Sequence, residues 1–476
     1  MSALRSSLSV VCSSLVVLVL TGCTMAPTYV RPEAPISPSW PDNTMPGDTL
    51  APPTTLSIAD TGWRTFFTDP NLQRIIELAL ANNRDLRVSA LNIERARGMY
   101  QIQRADLLPG VNATGESVNK GTPAALSQTG ERTVSRQATA GLAMSGYELD
   151  FFGRIQSLKD KALEEYLGTE QALKSAQISL VSNIAGAYLA LVADRERLGI
   201  ATETLASQRA TYNMIKKRFD VGVSSELDLW QAQTSVDTAR VDIAKYTSQV
   251  AQDMVALSLL AGTTVSPDML PLKSLSELPA WQDIPVALPS LVLLQRPDIL
   301  QAEHLLKAAN ANIGAARANF FPRVTIGATL GSASDGLSGL FDSATGAWSF
   351  LPQVSLPLFE GGRNIATLRV SETDKAIAVA TYEKSIQMAF REVSDALILR
   401  LSLTRQMEAQ QSLTHAASET YRLSQERYNR GVDSYLSVLD SQRFLYSSQL
   451  NFVTVRTGRE ANIITLYKVL GGGWKE

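Results

Sequence analysis

Apolar residues recur along this chain with two different periods, and the change from one to the other marks out its elements. Over 363–429, Tyr382, Ile386, Phe390, Val393, Leu397 and Leu401 are spaced by three or four residues, which predicts one face of a long helix. Beyond it, Leu436, Leu439, Tyr446, Leu450 and Val453 keep a heptad-like rhythm, as in helices packed along a narrow seam. The surroundings are rich in Ala, Ser and Gln, which suits helices lying side by side in a thin wall with one wet face. Between 323 and 359 the period becomes two. Val324, Ile326, Ala328 and Leu330 alternate with Thr325, Gly327, Thr329 and Gly331, and Val354, Leu356 and Leu358 repeat the pattern. Val111 and Ala113 against Asn112 and Thr114 do so weakly in the first half. Apolar-out, small-polar-in strands of about ten residues are those of a transmembrane barrel.

Proline sets the limits of these elements. Of 20 Pro, eight lie between Pro27 and Pro53 and six between Pro267 and Pro297, with none from Pro123 to Pro267 or after Pro357. The Pro-rich stretches predict an extended segment and a mid-chain connector; the Pro-free ones leave room for uninterrupted helices. A helix over 154–219 would reach roughly 100 Å at about 1.5 Å per residue.

The two halves repeat one another. Arg104-Ala105-Asp106-Leu107-Leu108-Pro109 matches Arg317-Ala318-Asn319-Phe320-Phe321-Pro322 at an offset of 213 (109 to 322). Phe152-Gly153-Arg154 matches Gly361-Gly362-Arg363, Arg218 to Val223 matches Arg427 to Val432, and Leu260-Ala261-Gly262 matches Val469-Leu470-Gly471, all at 209 (153 to 362). The change of offset falls in the strand region, where loops tolerate length changes. The expected organisation is a signal segment 1–22, an extended segment 23–60, a first repeat 61–266, a connector 267–297 and a second repeat 298–476. Each repeat runs helix, strand pair (about 110–150 and 323–359), long helix, Gly-centred tip and returning helix. Four strands per chain are too few to close a barrel, and open edges are not tolerated in lipid, so copies of the chain must pair their edges.

The N-terminus sets the compartment. Arg5 and the apolar run Leu8–Leu20 form an export signal too short to span a bilayer, ending in Leu20-Thr21-Gly22-Cys23. That tetrapeptide resembles a bacterial lipobox, which implies a diacylglycerol thioether on Cys23; Thr24 rather than Asp after it fits sorting to the outer membrane. No transmembrane helix is expected after residue 23. The charge balance, 44 Lys+Arg against 46 Asp+Glu, lacks the basic excess of a nucleic-acid binder. With two Cys and two His in all, a zinc cluster or Cys/His nucleophile is excluded. His304 and His415 lie far apart on predicted helices, and no catalytic constellation, metal site or cofactor is expected.

Lipobox, duplicated halves, two strand pairs and two long hairpins together resemble the TolC-like outer-membrane factors of tripartite efflux systems, in their OprM-like lipoprotein branch. Stretches that carry the resemblance are Gly62 to Phe67, Asn82 to Arg87, Tyr147 to Arg154, Gln295 to Asp298 and Leu470 to Trp474. It implies a mixed α and β membrane protein: a homotrimer with a 12-stranded β-barrel, continued by a periplasmic α-helical barrel. It implies as partners outer-membrane lipid, a periplasmic adaptor and an inner-membrane transporter, with passage of drugs or other small toxic compounds. The tips Gly222-Val223 and Gly431-Val432 would face the adaptor. Acidic residues beside them (Asp220, Glu226, Asp228, Asp433, Asp440) would form rings near the trimer axis, favouring cations. The family's Asp–Tyr contact between hairpins falls on Asp228 and Tyr428. The Arg that supports it aligns with Asp433, so the same salt-bridge set is not expected, and Leu436 is a candidate apolar constriction. The alternative is a periplasmic coiled-coil lipoprotein without a channel, which would explain the helices but not the alternating strands.

Overall fold

The structure, a computed structural model, describes residues 24–40, 61–128, 130–270, 274–279, 281 and 290–472. The signal segment 1–22, Cys23 and Trp474 lie outside the described residues. In chain order the elements are α1 (Trp63–Phe66), α2 (Pro70–Asn82), α3 (Arg84–Ala105), β1 (Asn112–Thr122), β2 (Thr133–Leu149), α4 (Arg154–Asp220) and α5 (Glu226–Ala261). After the connector come α6 (Pro297–Ala318), β3 (Arg323–Ser334), β4 (Gly346–Ser355), α7 (Arg363–Asn429) and α8 (Tyr435–Val469).

The duplication is visible in the backbone. Helices α4 and α7 are both 67 residues long. Glycines in the left-handed region stand where each begins (Gly153, φ 69°; Gly362, φ 85°) and where each hairpin reverses (Gly222, φ 75°; Gly431, φ 77°). They also stand where each return helix stops (Gly262, φ 71°; Gly471, φ 82°). Only Gly occupies this region without penalty, so the shared offset follows from three obligatory turns. The helix expected ahead of the first strand pair is divided at Asn83. That residue, extended at φ −61°, ψ 131°, closes α2, while its Oδ1 accepts from Leu86 N at 2.9 Å to start α3.

The chain forms two compact units that cut across the repeats. The first contains Met1–Glu33, Asn92–Thr169 and Gln301–Tyr382. Its sheet is antiparallel throughout, in the order β1-β2-β3-β4, so β1 and β4 each leave one edge unpaired within the chain. Strand β2, at 17 residues, exceeds the expected ten; a bulge between Met144 and Tyr147, with Gly146 at φ 70°, lets it bend and continue. Strand β4 ends at Ser355. Leu356 and Leu358, expected in its alternation, therefore lie beyond it, because Pro357 has no N–H to extend the ladder. Apolar side chains such as Leu330, Trp348, Phe350 and Val354 stand exposed on this sheet.

The second unit contains Ala34–Leu91, Glu170–Leu300 and Glu383–Glu476. Its core includes Val181, Ile184, Tyr188 and Leu191 of α4, with Ile75, Ile76, Phe66 and Tyr467. Helix α4 contains an 18-residue window apolar enough to cross a membrane by length and composition (mean hydropathy 1.5), where none was expected. Most of that window is buried against the protein itself, so its apolarity belongs to this core.

Candidate functional site

Both hairpin tips lie in the second unit and are built alike. At the first, Gly222 N donates to Phe219 O and Val223 N to Arg218 O, both at 2.8 Å. At the second, Gly431 N donates to Tyr428 O at 3.0 Å and Val432 N to Arg427 O at 2.9 Å. These bonds satisfy carbonyls that a helix end leaves open. The turns push their flanking side chains outward: Val221 and Val223 are each 73% exposed and Val432 is 60% exposed. Helix α5 restarts on a capping box, with Ser225 Oγ accepting from Asp228 N at 3.1 Å and Asp228 Oδ2 accepting from Ser225 N at 3.2 Å.

A cluster behind the tips joins all four hairpin helices. Ile215 of α4, Ala232 of α5, and Tyr435, Val438 and Leu439 of α8 are buried together, with Tyr212, Leu229, Tyr421 and Tyr428 packed against them. Burial pushes the Tyr435 phenol up to about 12, with the neighbouring Tyr428 adding to the shift. Tyr428 of α7 accepts at its hydroxyl from Arg218 Nη1 of α4, and the same guanidinium lies 5.0 Å from the ring centroid.

The Asp228–Tyr428 contact implied by the family pattern is corrected here. Asp228 is engaged by its own turn, receiving Ser225 N and Ser224 Oγ (3.1 Å), while the Tyr428 hydroxyl is taken by Arg218. The capping box holds Asp228 back over the helix end. Asp433 is bound by both Nε (2.6 Å) and Nη2 (2.9 Å) of Arg427, whose hydrogen bond holds its carboxyl below the usual range. Leu436 and Asp440 are one turn apart on α8 and both exposed, on the side away from Tyr435, Val438 and Leu439. Arg218 and Arg427 were not singled out from the sequence, although the repeat match contains both; their equivalence was the available signal.

Each return helix is secured at its far end by a side chain from the segment preceding α3 or α6. Asn83 Nδ2 donates to Leu260 O at 2.8 Å, and Arg296 Nη1 donates to Val469 O at 2.6 Å. Positions 83 and 296 correspond at the first offset, 260 and 469 at the second. Thus Asn82 to Arg87 and Gln295 to Asp298 serve one purpose, the closure of a hairpin at its base. Arg296 is further held by Asp298 (2.6 Å) and Glu392 (2.9 Å).

In the first unit, the segment after Cys23 runs along α6 and α4. Thr24 Oγ1 is 3.4 Å from Ser157 Oγ, Asn310 Nδ2 donates to Pro27 O at 2.7 Å, and Arg31 binds Glu303. Ser157 lies one turn into α4, so the first described residue is close to where β2 passes into that helix.

A family model described as "Outer membrane efflux protein" matches residues 75–263 and 288–472. The chain belongs to this family. It is 46% identical over 460 residues to the antibiotic efflux pump outer membrane protein ArpC of Pseudomonas putida, covering 96% of this chain and 94% of that protein. The same figures hold for a toluene efflux pump outer membrane protein, TtgC, from another strain of Pseudomonas putida. The open MtrE outer membrane channel of Neisseria gonorrhoeae superposes with a TM-score of 0.86 at 34% identity, over 95% of this chain and 99% of that one. As in its family, this chain is the outer-membrane channel component of a tripartite efflux pump. Three copies contribute four strands each to the barrel, and the strands are followed by a helical portion. The open edges of β1 and β4 are what the neighbouring copies cover, since a barrel in lipid has no free edge.

Proposed function

We propose that the channel is the exit duct for small, largely apolar toxic compounds, delivered by an inner-membrane transporter through a periplasmic adaptor that docks on Gly222, Val223, Gly431 and Val432. The observation that carries the docking assignment is the exposure of Val221, Val223 and Val432 on glycine turns. Exposed valines at the end of long hairpins offer apolar contact to a partner, with little side-chain entropy to lose. The substrate class rests on relatives named for antibiotic and toluene efflux.

The entrance is controlled by Asp228, Tyr428, Asp433, Leu436 and Asp440. Asp440 and Leu436, exposed on one side of α8, supply an acidic ring and an apolar ring when three copies surround an axis, favouring cations over anions. Tyr428 acts through Arg218 and Asp433 through Arg427, so each tip is held by an arginine of the helix leading into it. The helical portion lies in the periplasm. Cys23 carries the lipid anchor, and the adjacent Thr24 beside Ser157 supports this, because it puts the chain near the helix-side end of the sheet.

The test is photo-cross-linking in cells from a reactive residue at position 223 or 432. The expected result is one covalent partner, a periplasmic adaptor, whose yield falls when Val223 and Val432 are replaced by Asp. Full efflux by the Asp variants with no adduct at either position would refute the docking surface.

A further inference from the structure

Helix α5 carries its polar face inward. Asp242, Tyr246, Gln249 and Asp253, spaced by four, three and four residues, line one side. Tyr246 is buried there, while Trp230, Val241, Val255 and Leu259 are exposed elsewhere on the helix. Asp242 Oδ2 accepts from Tyr446 Oη of α8 at 2.7 Å. At the end of this row, Asp253 lies within hydrogen-bonding reach of Asp194 on α4. Asp194 is 7% exposed and accepts from Arg197 Nη1 at 2.5 Å. The other end of that guanidinium donates to Thr454 Oγ1 of α8 at 3.2 Å. Asp253 Oδ1 receives Gln249 Nε2 at 3.5 Å, but its Oδ2 is sealed from solvent with no donor. Two carboxylates therefore meet with one guanidinium between them, and a buried oxygen is left without a hydrogen. An unmade bond of this kind is costly.

We propose that Asp194 and Asp253 form a proton-operated brace between the two helices of the first hairpin. With one proton shared, Asp253 donates to Asp194 and α5 is tied to α4. With both ionised, the pair repels, Arg197 holds only the Asp194 side, and the hairpin that ends at Gly222 moves more freely. The inference rests on the duct reading, since freedom of that tip is what the entrance uses. A proton is the only species exchanged.

Burial, then the charge of Asp194 and its hydrogen bond, push the Asp253 carboxyl up to about 6. A carboxyl raised in the folded chain binds its proton more tightly there than in the unfolded chain. The brace is therefore strongest in acid and weakens as pH rises through about 6. The groups that face the pair are Asp194 and Arg197 from α4, Asp242 and Tyr246 from α5, and the neutral Thr454 and Tyr446 from α8. Burial also raises the Tyr246 phenol, so it stays neutral in this window. At the tip, Asp433 is lowered by Arg427 and does not change charge over the same range.

The experiment uses the purified full-length trimer, with Asp253→Asn and Asp194→Asn as paired variants and Asp440→Asn as a control for the acidic ring. Infrared difference spectra between about pH 5 and about pH 7.5 should show a protonated carboxyl that is lost on raising the pH and is absent from Asp253→Asn. Single-channel recordings over the same range should show several-fold more opening at the higher pH in wild type and in Asp440→Asn. Both brace variants should respond flatly. An Asp253→Asn infrared spectrum identical to wild type would overturn the brace, as would pH-dependent opening that survives in both variants. Absence of current from every form at every pH, with the infrared step intact, would strike the duct reading while upholding the shared proton.

Discussion

Replacing Tyr428 with Phe removes one hydroxyl from the tip and leaves the ring where it is. The hydroxyl accepts from the charged Arg218 guanidinium across 210 residues of sequence. A hydrogen bond with one charged partner contributes about 1.5–3 kcal/mol net, and partial solvent access puts this one near the lower end. The guanidinium remains over the ring face at 5.0 Å, so a cation–π contribution of about 0.5–1 kcal/mol is retained. If the bond is present only when α4 and α7 are drawn together at the tip, its loss of about 1.5 kcal/mol shifts the balance between held and released tips by roughly tenfold. Tyr428→Ala, which also withdraws the ring from the cluster around Tyr435, should shift it further. Single-channel recording of purified trimers in planar bilayers measures the fraction of time open. Expected is a rise approaching tenfold for Tyr428→Phe, a similar rise for Arg218→Met, and no further rise when the two are combined. Additive effects of the two substitutions, or an open fraction indistinguishable from wild type in both, would refute the coupling.

Two further outcomes follow from the framework that carries the tips. Gly262→Ala should be far more damaging than Gly431→Ala. Both are left-handed, but a Cβ at 262 would sit 2.3 Å from Asn82 O whereas 431 is open. Thermal unfolding of the trimer should register about 1–2 kcal/mol for Gly431→Ala and about 2–5 kcal/mol for Gly262→Ala, the excess coming from overpacking. Glu303→Gln should loosen the segment around Arg31, since the Glu303 side chain is 5% exposed and binds Arg31, Tyr29 Oη (3.2 Å) and Lys307 (3.2 Å). Limited proteolysis at Arg31 is expected to accelerate, with a cost of about 1.5–3 kcal/mol. Burial alone would raise the Glu303 carboxyl, but the bond from Arg31 and the charge of Lys307 hold it below its ordinary value. The docking is therefore fully present above the unfolded carboxylate range and is lost only as pH falls through the lowered value; at mild acidity wild type should remain protected.

Much of the fold was legible because it is written in local chemistry. Proline-free runs bounded by Arg154 and Asn429, glycines at 153, 222, 262, 362, 431 and 471, and the period-two stretch from Val324 follow from backbone sterics and burial periodicity. Each can be read within a dozen residues. The failures of the reading were also local: Pro357 stops β4 before Leu356, and Asn83 divides a helix that the apolar spacing alone would carry through.

What the sequence could not supply was the partner of any given side chain. Resemblance pairs Tyr428 with Asp228, yet Tyr428 meets Arg218, and Asp228 closes its own capping box. Asp194 and Asp253 look like two solvated carboxylates in the sequence and are a buried pair. Asn83 and Arg296 share no chemistry beyond an N–H, yet both close a hairpin at the same corresponding place. The physical reason is that a helix's periodicity fixes which residues share a face, whereas the rotation and axial shift of one helix against another decide what that face meets. Those two quantities come from packing over the whole seam, so elements and their ends were determined by the sequence alone, and only the tertiary structure chose the contacts between them.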